Sequence, residues 1–262
     1  FRDERGSRLF RVQQQLWLNG FGPDAGDGIH VPRPLAYVPE MRMLVQERAP
    51  GVTLNKLVMD RNIKPLMLRC AEGLAKLHDF VAVDGPDGNG SKTYFLADEL
   101  DSLDRFANEL VEVRPQSVSK VAILLDGLRA WADKRPTLPA ATPVHRDFYY
   151  SQVLFDGPRL TLIDFDLFAL GDPAIDVANF CAHLHFLGLQ YLGHLDALAD
   201  EAVQFVAAYA RFRLVDSDFL QRLAFYQAAA FFRLMKVVAP RPGLAHHFDT
   251  LYRRTAGCLE VA

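Results

Sequence analysis

The apolar pattern of this chain changes character between residues 142 and 166, and that interval restricts the fold more than any other. On either side of it apolar residues recur at three- and four-residue spacing, the period of an amphipathic helix. Inside it, residues 153–155 and 160–163 form short apolar runs separated by Asp156-Gly157. Glycine after aspartate at such a gap predicts a hairpin, because the turn needs a residue that accepts positive φ. A hairpin there returns the chain beside the loop it has just left, so it brings Asp164 back towards Asp147.

The rest of the chain is organised around that interruption. Residues 7–18 read as a helix through Leu9, Val12 and Leu16, and residues 19–28 read as a loop. Residues 31–37 and 42–47 read as two strands joined at Pro39-Glu40, since Pro32 and Pro34 forbid helix there. Ala49-Pro50-Gly51 breaks the pattern, and from Thr53, read as an N-cap, helices dominate to about residue 135. They are expected at 65–78, 98–110 and 118–131, then beyond the hairpin from Pro173, at 195–212, 218–238 and 246–258. The division placed here is an N-terminal part over 1–48 and a helical part over 49–262.

Composition narrows the setting. With 50% hydrophobic and 23% charged residues among 262, the chain can bury a sizeable core. A formal net charge of -3 gives no electrostatic reason to expect nucleic acid or an anionic membrane as partner. Cys70, Cys181 and Cys258 lie far apart without a C-x-x-C pair, which suggests neither a disulfide framework nor a zinc cage and fits a cytoplasmic setting. The start carries no apolar stretch of the signal-peptide kind, and opening on Phe1 in a charged turn points to further chain upstream.

Chemistry concentrates in His145-Arg146-Asp147, Gln152 and Ile163-Asp164-Phe165-Asp166. Moving a phosphoryl group needs a base or orienting group for the attacking hydroxyl, and hard oxygen ligands for the ions that neutralise the phosphates. Asp147 suits the first task. Gln152, five residues on, and Asp164, just past the hairpin, suit the second. An unremarkable alternative makes His145 and Asp147 a loop pair and Asp164 a strand-end cap.

At these residues the chain resembles the aminoglycoside phosphotransferase and choline kinase-like family, which has a protein-kinase-like fold. The pattern H-x-D-x-x-x-x-N falls on 145–152 with Gln152 in its last place, the hydrophobic-D-[FW]-[DE] strand end is matched over 163–166, and G-D-P by Gly171-Asp172-Pro173. Residues 44–51 resemble the family's interlobe hinge, and Leu74-Ala75-Lys76-Leu77-His78 its helix under the active site. The resemblance implies an α+β architecture: a partial small N-terminal lobe of one helix and β-strands, and a large, mainly α-helical C-terminal lobe with the catalytic-loop hairpin. It further implies Asp147 as base, Gln152 and Asp164 as Mg2+ ligands, and adenine of ATP hydrogen-bonded along Gln46, Glu47, Arg48 and Ala49. The step from Asp164 to Gly171 leaves no room for a peptide-binding activation segment, so the expected partner is a small hydroxylated acceptor.

Three departures accompany the match. Gln152 stands where the family carries asparagine and is one methylene longer, so it must fold back to reach the same metal. No glycine-rich phosphate loop or strand lysine precedes the first helix. That helix carries Gln13, Gln14 and Gln15 where a glutamate would pair with the lysine. They motivate a second reading, a catalytically silent kinase relative that binds nucleotide or regulates. A third, a metal-dependent phosphohydrolase using His145, Asp147, Asp164, Asp166 and His183, lacks a recognised ligand spacing.

For the acceptor, Tyr149, Tyr150 and Asp166 flank the proposed base and suit a sugar or polyol. His183 and His185 lie two apart on a helix and cannot form one ligand pair. Asp98, Glu99, Asp101 and Asp104 suit either a cationic acceptor or the first turn of a helix, where the dipole favours anions. Asp172 and Asp176 read as structural residues, Asp172 as the N-cap before Pro173. The 84–90 segment fails the spacing of a calcium loop.

Overall fold

The computed structural model describes residues 3–58, 63–81, 92–134 and 139–261, with side chains from residue 6 onward; the 84–90 segment lies outside these residues. Helix α1 (Asp3–Leu18) buries Leu9 and Leu16. It ends because Gly20 takes φ +98°, which lets Phe21 N–H reach back to Leu16 O at 3.1 Å, a Schellman closure in which both apolar side chains are buried. Strands β1 (Ile29–His30), β2 (Pro34–Val38) and β3 (Met43–Gln46) follow. β2 and β3 pair antiparallel across a short 3-10 turn, Pro39–Met41, as their proline and apolar content predicts. Gln13 ties α1 to both, donating Nε2–H to Pro32 O (2.9 Å) and to Gln46 Oε1 (2.6 Å).

Next come β4 (Val52–Thr53), α2 (Leu54–Leu57), α3 (Lys64–His78), α4 (Leu96–Val113) and α5 (Val118–Asp133). Thr53 precedes α2 in extended conformation but makes no side-chain cap; its place in the fold is a strand pairing with the hairpin. That hairpin is β6 (Val153–Asp156) and β7 (Arg159–Leu162). Its turn falls on Gly157-Pro158, with Gly157 at φ +59°. Glycine first and proline second satisfy a two-residue turn whose leading residue needs positive φ. β7 pairs in parallel with β1, and β6 antiparallel with β4, giving a sheet in the order β1-β7-β6-β4. Val153, Phe155, Leu160 and Leu162 are buried, and Gly73 on α3 leaves the space that Leu160 occupies.

A second two-stranded pair, β5 (Thr142–Val144) with β8 (Ala169–Gly171), sets Val144 opposite Ala169. The start of the Asp147 loop is thereby tied to the start of α6 (Ala174–Tyr191). α6 is buried along nearly its whole length, and helices α7 (Ala199–Tyr209), α8 (Ser217–Val238) and α9 (Phe248–Val261) complete the helical part. Phe148 from the loop stacks on Phe180 of α6 and Phe205 of α7, with centroids at 5.2 and 6.4 Å. Burying such a ring stabilises the fold by about 1.5–3 kcal/mol. The loop is thus anchored in the core by its own sequence. No described helix is long and apolar enough to cross a membrane.

Candidate active site

The Asp147 loop is held from below by Asp176, one turn into α6 and fully buried. Asp176 Oδ2 accepts the His145 N–H at 2.7 Å and Oδ1 the Arg146 N–H at 2.6 Å. Nε2 of His78, at the end of α3, donates to the same carboxylate at 3.0 Å, and Nδ1 of that ring meets Tyr209 OH at 2.7 Å. Three residues further along α6, on the same face, Asn179 donates to Phe148 O at 3.1 Å. His145 Nε2 bridges the other way, to Ile163 O at 2.9 Å, joining the loop to the end of the hairpin. Asp172 Oδ1 caps α6 through the Ala174 N–H (3.0 Å) while its other oxygen pairs with Arg222 Nε (2.9 Å). Asp172 and Asp176 therefore have the structural places their sequence context predicts. Asn179 carries no local sequence signal that would have selected it.

Two non-glycine residues at this site take positive φ, Arg146 at +69° and Asp164 at +66°. Each costs of order 1–3 kcal/mol, which the buried hydrogen bonds around them offset. The result is that Gln152, buried, lies between two carboxylates: its Nε2 is 3.5 Å from Asp147 Oδ2 and 3.2 Å from Asp164 Oδ2. Asp147 is half-buried and Asp164 exposed. Burial, with the facing Asp164 carboxylate, pushes the Asp147 carboxyl up to about 6, against the opposing influence of His145, the Gln152 amide and Arg233. Among the described residues no group of three His, Cys, Asp or Glu side chains is set to hold a metal alone. The oxygen donors of Asp164 and Gln152 fit a hard divalent ion that takes its remaining ligands from water and phosphate.

Asp147 lines a cavity of about 260 Å³ together with Arg146, His183 and Arg233. Arg233 on α8 forms a close ion pair with buried Glu99 on α4, which also accepts from Tyr94 OH at 2.6 Å. Burial pushes the His183 imidazole down to about 3, so it is neutral, and its Nδ1 has no hydrogen-bond partner. Tyr149 and Tyr150 lie against the His183 ring at 4.5 and 5.9 Å between centroids. His185 turns away, its Nδ1 donating to Leu195 O at 2.9 Å. Asp166 lines an adjoining cavity of about 550 Å³. Glu47, Arg48 and Ala49 border another, of about 280 Å³, with Trp17, His30 and Thr161. Gln46 is instead engaged by Gln13. Glu99 and Arg233, 134 residues apart, meet at the Asp147 cavity with nothing in the sequence to pair them.

Residues 10–215 match the family model described as "Phosphotransferase enzyme family". No curated protein sequence matches the chain. Among solved structures, a choline/ethanolamine kinase family protein from Mesorhizobium loti aligns at 16% identity over 98% of this chain and 80% of its own, with TM-score 0.66. An aminoglycoside-3'-phosphotransferase of type VIII aligns at 22% identity over 87% and 82%, with TM-score 0.56. The amicoumacin kinase hAmiN, in complex with AMP-PNP, Ca2+ and Ami, aligns at 12% identity over 96% and 77%, with TM-score 0.64. These likenesses show that the chain has the kinase-like fold, with its small sheet-containing N-terminal part and helical remainder.

Proposed function

The chain belongs to the phosphotransferase enzyme family, and on that premise we propose that it moves the γ-phosphoryl group of ATP to a hydroxyl of a small molecule. The observation that carries this reading is the pair of carboxylates, Asp147 in a cavity wall and Asp164 exposed, with the Gln152 amide between them. In it Asp147 accepts the proton of the acceptor hydroxyl as that oxygen attacks the γ-phosphorus. A carboxyl raised towards neutrality by burial suits that task.

Asp164 and Gln152 would hold Mg2+, which when bound would neutralise charge on the phosphates. The Gln152 amide, whose Nε2 faces both carboxylates, would supply its carbonyl oxygen as the second protein ligand. Asp176 acts through the loop, keeping Asp147 at a set height above α6. Adenine is assigned to the backbone of Gln46, Glu47, Arg48 and Ala49, and because the Glu47 N–H is already given to Arg33 O (2.9 Å), its hydrogen bonds fall to the groups on either side. The choline/ethanolamine kinase family protein and the aminoglycoside phosphotransferase of the same fold support an acceptor with a free hydroxyl. Tyr149, Tyr150 and Asp166 are the acceptor-side candidates.

The test is ADP release from ATP in the presence of Mg2+ and a panel of hydroxylated acceptors. Acceptor-dependent release that disappears in Asp147→Asn while nucleotide still binds supports the assignment. Unchanged release in that variant refutes it, and nucleotide binding without transfer to any acceptor points to a silent relative.

A further inference from the structure

The cavity that Asp147 lines and the larger one beside it share a wall made of Tyr94, Arg146 and Leu167. Arg146 stacks on the Tyr94 ring, its Cζ 3.3 Å from the centroid, and gives Nη1 to Leu167 O at 3.2 Å. Its Nε is buried and has no hydrogen-bond partner. A guanidinium fixed in this way at the junction of two cavities is an oriented donor with capacity in reserve.

The outer cavity adds three more cations, Arg8, Lys92 and Arg105, against three carboxylates, Asp98, Asp101 and Asp166. The two signs are not equally disposable. Asp98 accepts the Phe95 N–H at 2.8 Å in the first turn of α4, where it offsets the helix dipole. Asp166 is engaged within the protein, and Arg8 is engaged likewise, through Phe168 O at 3.2 Å. With Arg146 the lining has four cations to three carboxylates, and because the capping bond of Asp98 leaves its charge in place, the cavity carries an excess of one positive charge. Further in, Glu99 is committed to Arg233 and Tyr94. With Glu99 and Arg233 paired to each other, the charges left at the inner cavity are Asp147 and the Arg146 guanidinium that it shares with the outer one.

Resting on the phosphotransferase reading, we propose that the outer cavity receives an oxyanion, a carboxylate or phosphate carried by the acceptor whose reacting hydroxyl lies at Asp147. The acceptor class is then a hydroxylated organic anion. Lys92 and Arg105, both exposed, draw the anionic end in, and Arg146 fixes its distance from the base.

The experiment is calorimetric titration of the chain, saturated with ADP and Mg2+, with four probes on one skeleton: glucose, glucosamine, glucuronate and glucose 1-phosphate. Glucuronate or glucose 1-phosphate is expected to bind about tenfold or more tighter than glucose, with glucosamine weakest, the range expected of one added charge-assisted contact. Which of the two anions leads distinguishes carboxylate from phosphate. Reversing charge with Lys92→Glu and Arg105→Glu together is expected to bring both anions to the level of glucose or below. Tighter binding of glucosamine, no discrimination by charge, or no measurable binding of either anion overturns the proposal. Should the double variant fail to fold, the order among the four probes still decides. Failure of the phosphotransferase reading is separately visible, as ATP and Mg2+ giving no acceptor-dependent ADP release with any hydroxylated acceptor, whatever the order in which the four probes bind.

Discussion

The loop carrying Asp147 and the segment carrying Gln46 to Ala49 are both short connections beside the same hairpin, yet they are held in opposite ways. Asp176 meets the first with two backbone N–H bonds and ties them to His78, with Asp176, His78 and His145 all buried. The second is exposed, fastened by one backbone bond from Glu47 to Arg33, by an ion pair between the same residues at 4.0 Å, and by the Gln13 amide on Gln46 at 2.6 Å. Buried polar networks fix geometry because every member left unpaired carries its full desolvation cost, whereas an exposed pair can exchange its partner for water. A base must stand within hydrogen-bond reach of its proton, while a backbone edge facing a flat aromatic ring tolerates adjustment.

Four substitutions would break or sharpen this contrast. Asp147→Asn removes the proposed base and leaves its surroundings intact. Turnover is expected to fall about 10²–10⁴-fold with little change in melting midpoint, and a comparable loss of stability would mean that the carboxylate is structural. Asp176→Ala strips the loop of its anchor and leaves Nε2 of His78 and two N–H groups unpaired, a loss of about 3–5 kcal/mol by urea unfolding, accompanied by reduced turnover. A loss under about 1 kcal/mol would show that the loop holds its shape without that network.

Gly51→Ala tests the hinge side of the comparison where it is tightest. Gly51 has φ +96°, and a Cβ there would lie 2.4 Å from Phe155 O, so about 1–3 kcal/mol of stability should be lost. Melting at the wild-type temperature would show that the chain can part from the hairpin at this point. Glu47→Gln has the smallest expected effect: the ion pair to Arg33 is about half exposed on both sides, and stability should change by less than about 1 kcal/mol. A larger change would place the segment from Gln46 to Ala49 among the rigid parts of the molecule.

The elements with a period of their own were legible. The helices recur because their apolar residues repeat over three turns or more, and β2, β3, β6 and β7 because alternation is bounded by proline, glycine and aspartate. The turn moved one residue from Asp156-Gly157 to Gly157-Pro158, since glycine occupies the leading position. β1, β4, β5 and β8 were not legible. At two or three residues each they have no period, and they exist only through partners about 20 to 130 positions away. Thr53 illustrates this: it has the residue type of a helix cap and is used as a strand.

The same division runs through the site. Asp147, Gln152 and Asp164 lie within one loop and one hairpin, so their grouping depends on local chain geometry that residue type and spacing encode, and the chain on its own determined it. Asp176 under the loop, the Glu99–Arg233 pair, the neutral His183 and the guanidinium of Arg146 on Tyr94 join separate elements of the chain. Each owes its role to burial beside a group distant in sequence, and burial is a property of packed helices that no single segment specifies. The sequence thus determined where the proposed catalytic residues lie, and the tertiary structure decided how firmly they are held and which charges surround them.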